Sequence, residues 1–168
     1  MRGAAVCYHM RMEEKESRAA ALAFLKDRKT GVLATIAQDG AARARTVYFA
    51  SDDSFGIYFV TNADTRKWSD LQHDHWAAFV VSDEVAPQTL QLEGTVKDLS
   101  GIALIEPELA SLAAIILSNT RYFAPLTRFD PSAVMFLKLT PSWVRFGDFT
   151  SGKGTESVLR EIALTPAS

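Results

Sequence analysis

The chain has 168 residues, of which 23% are charged, and its formal net charge is −2. A near-neutral chain of this length predicts one domain and shows no general attraction to nucleic acid or to a membrane surface. Its single cysteine, Cys7, excludes an intrachain disulfide and any metal site made of several cysteines. No apolar run reaches the roughly 18–20 residues of a transmembrane helix. We therefore expect a cytoplasmic protein that binds neither nucleic acid nor membranes.

The first half of the chain predicts one helix followed by antiparallel strands. Apolar residues recur at helical spacing along 13–28, whereas residues 1–11 are expected to be flexible or peripheral. The hairpin turn Gln38-Asp39-Gly40 joins two of the strands, because Asp-Gly tolerates the positive φ of a tight turn. Strands are predicted at 31–37, 42–50 and 55–61.

The second half alternates helices with further strands. Gly94 indicates a bulge or a close backbone approach within its strand. Helices are predicted at 65–73 and 104–118, one or two helical turns at 156–164, and an irregular loop at 122–131. Strands are predicted at 76–81, 89–97, 133–139 and 143–149, the last two separated by Thr140-Pro141.

Six or seven short strands, joined mostly by hairpins and accompanied by two or three helices, predict an antiparallel barrel or sandwich. The sequence contains no repeat and no composition shift that would mark a domain boundary. We expect one mainly β domain with flanking helices over 1–168, with the tail from residue 150 peripheral.

The stretch Phe59–Lys67 has the chemistry of a phosphate site. An apolar strand runs into a turn with hydroxyls, an amide and two adjacent cations, Arg66 and Lys67, and a helix follows. Thr65 can cap that helix while the amides of its first turn face an anion. An ordinary strand-to-helix turn with a solvated Arg-Lys pair is the commoner structure for such a pattern.

Arg43 and Arg45 lie on one face of the strand predicted at 42–50, because side chains alternate along a strand. One of them could reach the phosphate region of the turn. The alternative is a solvent face of a barrel strand. His73 and His75 lack a nearby third ligand, so exposed histidines at a helix end explain them better than a metal site. No metal site is predicted.

The run Ala44–Ala50, followed by Val60–Lys67 and then Gln88–Lys97, resembles the pyridoxamine 5′-phosphate oxidase family. The likeness covers roughly residues 24–97, and more weakly 133–149. The resemblance implies an FMN-binding split β-barrel of about six strands. It also implies a homodimer in which each cofactor lies at the subunit interface.

By the same resemblance, cations and hydroxyls would hold the FMN phosphate: Arg45, Arg66, Lys67, Thr61 and Thr65. The backbone of Thr46, Val47 and Tyr48 would lie along the isoalloxazine ring, and Val60 would line the site. Thr89, where the family's oxidases carry a glutamine, completes the set of candidate cofactor-binding residues.

Three departures from the family's oxidases concern the ring and the substrate. Ala50 stands where the oxidases carry a lysine, and Thr89 replaces their glutamine. No Arg-Leu-His-Asp-Arg element follows Trp143, so the groups that handle the pyridoxal substrate are missing. The sequence therefore argues against pyridoxamine phosphate oxidase activity itself.

The preferred interpretation is an FMN-dependent oxidoreductase that acts on a small molecule, with no catalytic residue assigned. One alternative is a deazaflavin-dependent reductase, which would also grip a phosphate at this turn. Another is a non-catalytic flavin- or haem-binding protein, for which His73 and His75 are the candidate ligands.

Overall fold

The computed structural model describes residues 2–103, 105–118, 133–150 and 159–164, and the side chains from residue 14 onward except that of residue 117. The described helices are α1 (Arg2–Asp27), α2 (Arg66–His73), α3 (Ser100–Ala103) and α4 (Pro107–Ser118). The described strands are β1 (Thr30–Ile36), β2 (Ala42–Tyr48), β3 (Ala50–Ser51), β4 (Ile57–Asn62), β5 (Trp76–Asp83), β6 (Gln88–Asp98), β7 (Val134–Asp148) and β8 (Leu159–Glu161). The loop predicted at 122–131 lies outside the described residues.

The strands form one antiparallel sheet in the order β2-β1-β5-β6-β7-β4-β3, and β8 pairs with β7. The sheet curls into a half-barrel with the helices on its flanks. β2 comes close to β4 where the curl brings the two ends of the sheet together. The predicted mainly β, split-barrel fold is confirmed.

Local chemistry places the first strands. Gly40 has φ +80°, so the predicted Asp39-Gly40 hairpin turn between β1 and β2 is confirmed. The strand predicted at 42–50 is divided at Phe49, whose amide donates to the Lys29 carbonyl at 3.1 Å. Beyond that point the chain leaves β1, and β3 pairs with β4 instead. This segment therefore connects the two sides of the barrel.

β7 is one continuous strand over Val134–Asp148, so the predicted interruption at Thr140-Pro141 is wrong. Glu93 pairs with Trp143 and Gly94 with Pro141, which leaves one extra residue on β7. The bulge accommodates a proline that cannot donate a ladder hydrogen bond. The predicted irregularity at Gly94 is confirmed by the same register shift.

The predicted helical turns at 156–164 are wrong for the described residues of that stretch. Leu159–Glu161 is a strand, and it pairs with β7 between Arg145 and Gly147. β4 pairs with the first part of β7 only, so β8 supplies partners for backbone groups further along. Ile162 follows with 6% exposure and joins the core, which anchors the pairing.

The core fills the barrel and continues beneath α1. Its largest fully buried side chains include Phe49, Phe55, Phe59 and Phe79. Leu25 of α1 is also fully buried, which fixes the end of that helix against the barrel. Among the described helices, none has the length and apolar character needed to cross a bilayer.

Candidate functional site

The candidate site begins where β4 runs through a turn into α2. Thr65 has extended backbone angles, φ −84° and ψ 147°, and its side chain accepts a hydrogen bond from the Trp68 amide. The Thr65 hydroxyl also donates to the Asn62 carbonyl at 2.8 Å. The predicted N-cap is therefore confirmed, and it fixes the start of the helix relative to the strand.

Lys67 folds back from the first turn of α2 towards β4. Its Nζ donates to Thr61 Oγ1 at 2.9 Å, and the hydroxyls of Thr61 and Thr65 lie 2.8 Å apart. Thr61 is 2% exposed, so this chain of polar contacts is sheltered from solvent. Three of the predicted phosphate-binding side chains therefore lie together.

Arg43 and Arg45 reach the same region from β2. Along this strand the odd-numbered arginines are partly buried while Ala42, Ala44 and Thr46 are exposed. The two arginines therefore lie on the inner face of the sheet, beside α2. Their side chains are 33% and 22% exposed, respectively, which excludes the simple solvent-face alternative.

Asp70 of α2 accepts hydrogen bonds from both arginines. The sequence analysis did not predict Asp70 as a residue of the site. Arg43 Nη1 donates to Asp70 Oδ1 at 2.9 Å, and Arg45 Nη2 donates to Oδ2 at 3.2 Å. Thr35 Oγ1 of β1 donates to the same Oδ2 at 3.0 Å. The spacing of Lys67 and Asp70 places both on one face of α2. This spacing is visible in the sequence and could have identified Asp70 as a neighbour of Lys67.

Asp70 is 3% exposed, yet it remains ionised in the folded protein. Burial opposes ionisation of this carboxyl, but the hydrogen bonds from Thr35 and Arg45 and the charges of Arg43 and Arg45 outweigh burial. The pKa of Asp70 is consequently lowered. The cluster thus contains a true carboxylate between two guanidinium groups.

Contacts within the described part of the protein do not fully compensate two of these cations, Arg45 and Lys67. Arg45 Nη1 is buried and has no hydrogen-bond partner among the described residues. Burial and electrostatic repulsion from Arg45 together lower the pKa of Lys67 to about 8. A buried donor without an acceptor and a destabilised ammonium both indicate a place for an anion. We call Arg43, Arg45, Thr61, Thr65, Lys67 and Asp70 the cation cluster.

The predicted ring-side residues lie along β2 and β4, next to the cation cluster. Thr46 is exposed, whereas Val47 and Tyr48 are buried, with only 6% and 9% of their surface exposed. Tyr48 and Val60 belong to one apolar group that also contains Ala50. The small side chain at position 50 therefore stands against apolar neighbours.

Arg66 and Thr89 are predicted site residues that are not part of the cation cluster. Arg66 is exposed at the start of α2, and the hydrogen bond to Thr61 comes from Lys67. Thr89 lies on β6, where its hydroxyl is 3.2 Å from Ser82 Oγ and 3.3 Å from the Val81 carbonyl. Within one chain, Thr89 makes a local strand-to-strand contact.

His73 and His75 are exposed at the end of α2, and one nitrogen of the His75 ring is 2.7 Å from the Leu71 carbonyl. In the part of the chain whose side chains are described, no three His, Cys, Asp or Glu residues gather as a metal site. A cleft of about 720 Å³ opens between α2 and the β1–β2 hairpin. Arg43, Asp70, Gln72 and His73 are among its lining residues, so the cation cluster is accessible from this side.

The family comparison adds to this geometry. The model of the pyridoxamine 5′-phosphate oxidase family matches residues 17–147, which include every member of the cation cluster. The chain belongs to the pyridoxamine 5′-phosphate oxidase family. The resemblance inferred from the sequence is therefore confirmed.

Curated family members share a shorter stretch with the chain. A pyridoxine/pyridoxamine 5′-phosphate oxidase from Cyanothece sp. is 37% identical over 68 residues, which is 40% of this chain and 32% of the relative. The corresponding protein from Salinibacter ruber is 36% identical over 75 residues, 45% of this chain and 35% of the relative. The matches span about a third of the length of these relatives.

Solved structures of several kinds share the fold. A protein related to general stress protein 26 from Clostridium acetobutylicum has a TM-score of 0.61 at 18% identity, covering 80% of this chain and 90% of its own. A haem-binding protein from Mycobacterium smegmatis has a TM-score of 0.58 at 20% identity, covering 89% and 56%. A structure described as an F420 reductase has a TM-score of 0.56 at 23% identity, covering 71% and 92%. At these identities the similarity shows the fold alone.

Proposed function

We propose that the protein is a flavoprotein that binds FMN through the cation cluster and acts as an oxidoreductase on a small molecule. The observation that carries this proposal is the buried Arg45 Nη1, which has no acceptor among the described residues and lies beside a desolvated Lys67. A phosphate oxygen would give the guanidinium its missing acceptor and would favour the charged form of the ammonium. The residues present therefore fit the phosphate group.

The charge of the cation cluster supports a phosphate monoester. Arg43, Arg45 and Lys67 oppose the single carboxylate of Asp70, so the cluster keeps two positive charges. A phosphate monoester carries about −1.5 to −2 charges at neutral pH, which would nearly neutralise that excess. A phosphodiester, with one negative charge, would leave one cation uncompensated. The balance favours FMN over a cofactor whose phosphate is a diester, such as the deazaflavin alternative.

The protein's contribution would be position and environment. With the phosphate at Arg45, the next residues of β2, Thr46–Tyr48, offer backbone groups along the ring, and buried Val60 offers an apolar wall. FMN supplies the redox chemistry when it is bound. With Ala50 in place of the oxidases' lysine, the reaction we propose is not pyridoxamine phosphate oxidation.

A homodimer is part of the proposal, and the outer face of the sheet supports it. Val32 and Ile36 of β1 and Trp76 of β5 are 41%, 37% and 42% exposed. Val32 pairs with Val80, and Ala34 pairs with both Ala44 and Ala78, so small apolar residues lie between the larger ones. This apolar face suits a second copy of the chain, and we propose that each cofactor lies at the interface of the two subunits, as the family resemblance implies.

The proposal predicts a yellow protein. Purified chain should show flavin absorption bands, or should acquire them after incubation with FMN and dialysis, and light scattering of that sample should give the mass of a dimer. A haem Soret band after purification would favour the haem-binding alternative. Protein that stays colourless after FMN loading would contradict the flavin assignment.

FMN affinity should fall as the pH rises above about 8. The pKa of Lys67 is lowered to about 8 in the free protein, and a bound phosphate would raise it again by favouring the charged ammonium. Binding above pH 8 must therefore take up a proton, so affinity decreases by up to about tenfold per pH unit. Kd values between pH 7 and 9, measured by quenching of FMN fluorescence, test this dependence.

The variant Lys67→Arg is the matched control for the pH series. Arginine stays protonated throughout this range, so the decline above pH 8 should disappear even if the affinity at pH 7 changes. A decline that persists in Lys67→Arg would show that another group titrates.

A further inference from the structure

We propose that Asp70 is the positioning residue of the cation cluster, holding Arg45 so that one edge of its guanidinium is presented to the phosphate. The inference rests on the proposed flavin-phosphate site and adds a role for a residue that does not itself contact the anion. A carboxylate beside an anion site is unexpected, because its charge repels the ligand. Its contacts explain why it is present.

Asp70 uses both carboxylate oxygens on neighbours that come from two strands. Oδ1 accepts from Arg43 Nη1 at 2.9 Å. Oδ2 accepts from Arg45 Nη2 at 3.2 Å and from Thr35 Oγ1 at 3.0 Å. Strands β1 and β2 are thereby joined to α2 through one side chain that is 3% exposed. A carboxylate with this many partners in a buried site has little freedom to rotate.

The same contacts orient Arg45. One terminal nitrogen, Nη2, is bound to Asp70, and the other, Nη1, is buried without an acceptor among the described side chains. A guanidinium is planar and rigid, so fixing one nitrogen sets the direction of the other. Without the carboxylate, Arg45 would face Arg43 and Lys67 with no counter-charge and would turn towards solvent. Asp70 therefore keeps a flexible side chain in its binding conformation before the ligand arrives.

Two effects of removing the carboxylate have opposite signs. Loss of a nearby negative charge should tighten anion binding by Coulomb's law. Loss of the constraint on Arg45 should weaken binding, because a charge-assisted hydrogen bond to the phosphate is then formed from a disordered side chain. If Asp70 is a positioning residue, the second effect exceeds the first. The direction of the change in affinity therefore distinguishes the two roles.

The test is the FMN affinity of Asp70→Asn, alone and in the background of Arg45→Met. We expect Asp70→Asn to weaken FMN binding by about tenfold, the scale of one charge-assisted hydrogen bond. In the Arg45→Met background the same change should leave affinity unaltered or raise it, because Arg45 is no longer there to be positioned. A double-mutant cycle of this kind isolates action through Arg45 from a general loosening of the site.

Asp64→Asn is the control for charge, because Asp64 is exposed in the turn before α2 and its replacement removes one negative charge near the site. That variant should leave FMN affinity unchanged or slightly higher. Asp70→Glu covers the case in which Asp70→Asn does not fold. It keeps the charge but lengthens the side chain by one methylene, so it should also misplace Arg45 and weaken FMN binding. In the Arg45→Met background, Asp70→Glu should not weaken FMN binding.

Unchanged or tighter FMN binding by the position-70 variants would overturn the positioning role. Equal losses with and without Arg45 would also overturn it, since they would show a merely structural residue. Wild-type chain that binds no FMN would overturn the proposed function, and this inference with it. Wild-type binding with an unaffected Asp70 variant would overturn the inference alone.

Discussion

Replacing Arg45 and Lys67 together by alanine should weaken FMN binding by about 10²- to 10⁴-fold. Each side chain would form a charge-assisted hydrogen bond with the phosphate, and such bonds contribute roughly 1.5–3 kcal/mol each. Both groups are already partly desolvated in the free protein, as the lowered pKa of Lys67 and the unpartnered Arg45 Nη1 show within the described chain. The measurement is a titration of FMN into each variant, followed by fluorescence.

Arg66→Ala is the matched control for the double variant. Arg66 is exposed, and the hydrogen bond to Thr61 comes from Lys67. Its removal should change FMN affinity by less than about fivefold, the scale of an exposed charge interaction. Riboflavin, which lacks the phosphate, should bind the double variant as it binds wild type. Equal effects of Arg66→Ala and the double variant would contradict the assignment of the phosphate to Arg45 and Lys67.

Gly94→Ala should destabilise the fold by about 3 kcal/mol or more, which is the upper part of the range for overpacking. A Cβ at this position would lie 2.0 Å from the Thr140 carbonyl oxygen and 2.8 Å from Pro141 Cα. Both neighbours are backbone atoms of β7, so neither can move without disturbing the β6–β7 ladder at the bulge. Thermal unfolding should show a midpoint about 6–12 °C lower than that of wild type.

Gly101→Ala is the corresponding control, because a Cβ there meets nothing within 4 Å. Gly101 lies in α3, where alanine is a better helix former than glycine by up to about 1 kcal/mol. The variant should therefore be as stable as wild type or slightly more stable. A melting midpoint for Gly94→Ala equal to that of Gly101→Ala would show that the bulge can open to accept a side chain.

The position of the cation cluster was predictable in outline because several of its parts are local. The Thr65 cap depends on residues within four positions of it, and the placement of Arg43 and Arg45 on one face follows from strand alternation. Family membership was also predictable, since the runs Ala44–Ala50 and Val60–Lys67 lie close together in the sequence and resemble the family's motif. None of these features requires knowledge of distant contacts.

The different surroundings of the two adjacent cations were not predictable. Arg66 and Lys67 are adjacent and chemically alike, yet Lys67 turns back to Thr61 while Arg66 is exposed. Their directions are set by the helical twist after the Thr65 cap and by the packing of α2 on the barrel. A pattern of residue types shows neither the helical twist nor the packing of α2, so both cations were predicted as phosphate ligands.

Errors in the strand prediction have the same origin. Thr140-Pro141 has the pattern of a break between two strands. The pairing of β7 with β6 nevertheless continues past the proline through a bulge opposite Gly94. Leu159–Glu161 has no strong strand pattern, and it becomes a strand because β7 offers it backbone partners. Pairing between residues far apart in sequence overrides local preference in both cases.

By itself, the sequence determined the hairpin turn and the helix cap of this protein, because these depend on short-range patterns, and its resemblance to a known family indicated the barrel. Only the tertiary structure decided that Asp70 stands between Arg43 and Arg45, which lie 27 and 25 residues away along the chain. The reason is physical: the ion pairs form where a helix and two strands converge. The free energy of a buried carboxylate depends on which side chains that convergence brings within hydrogen-bond distance.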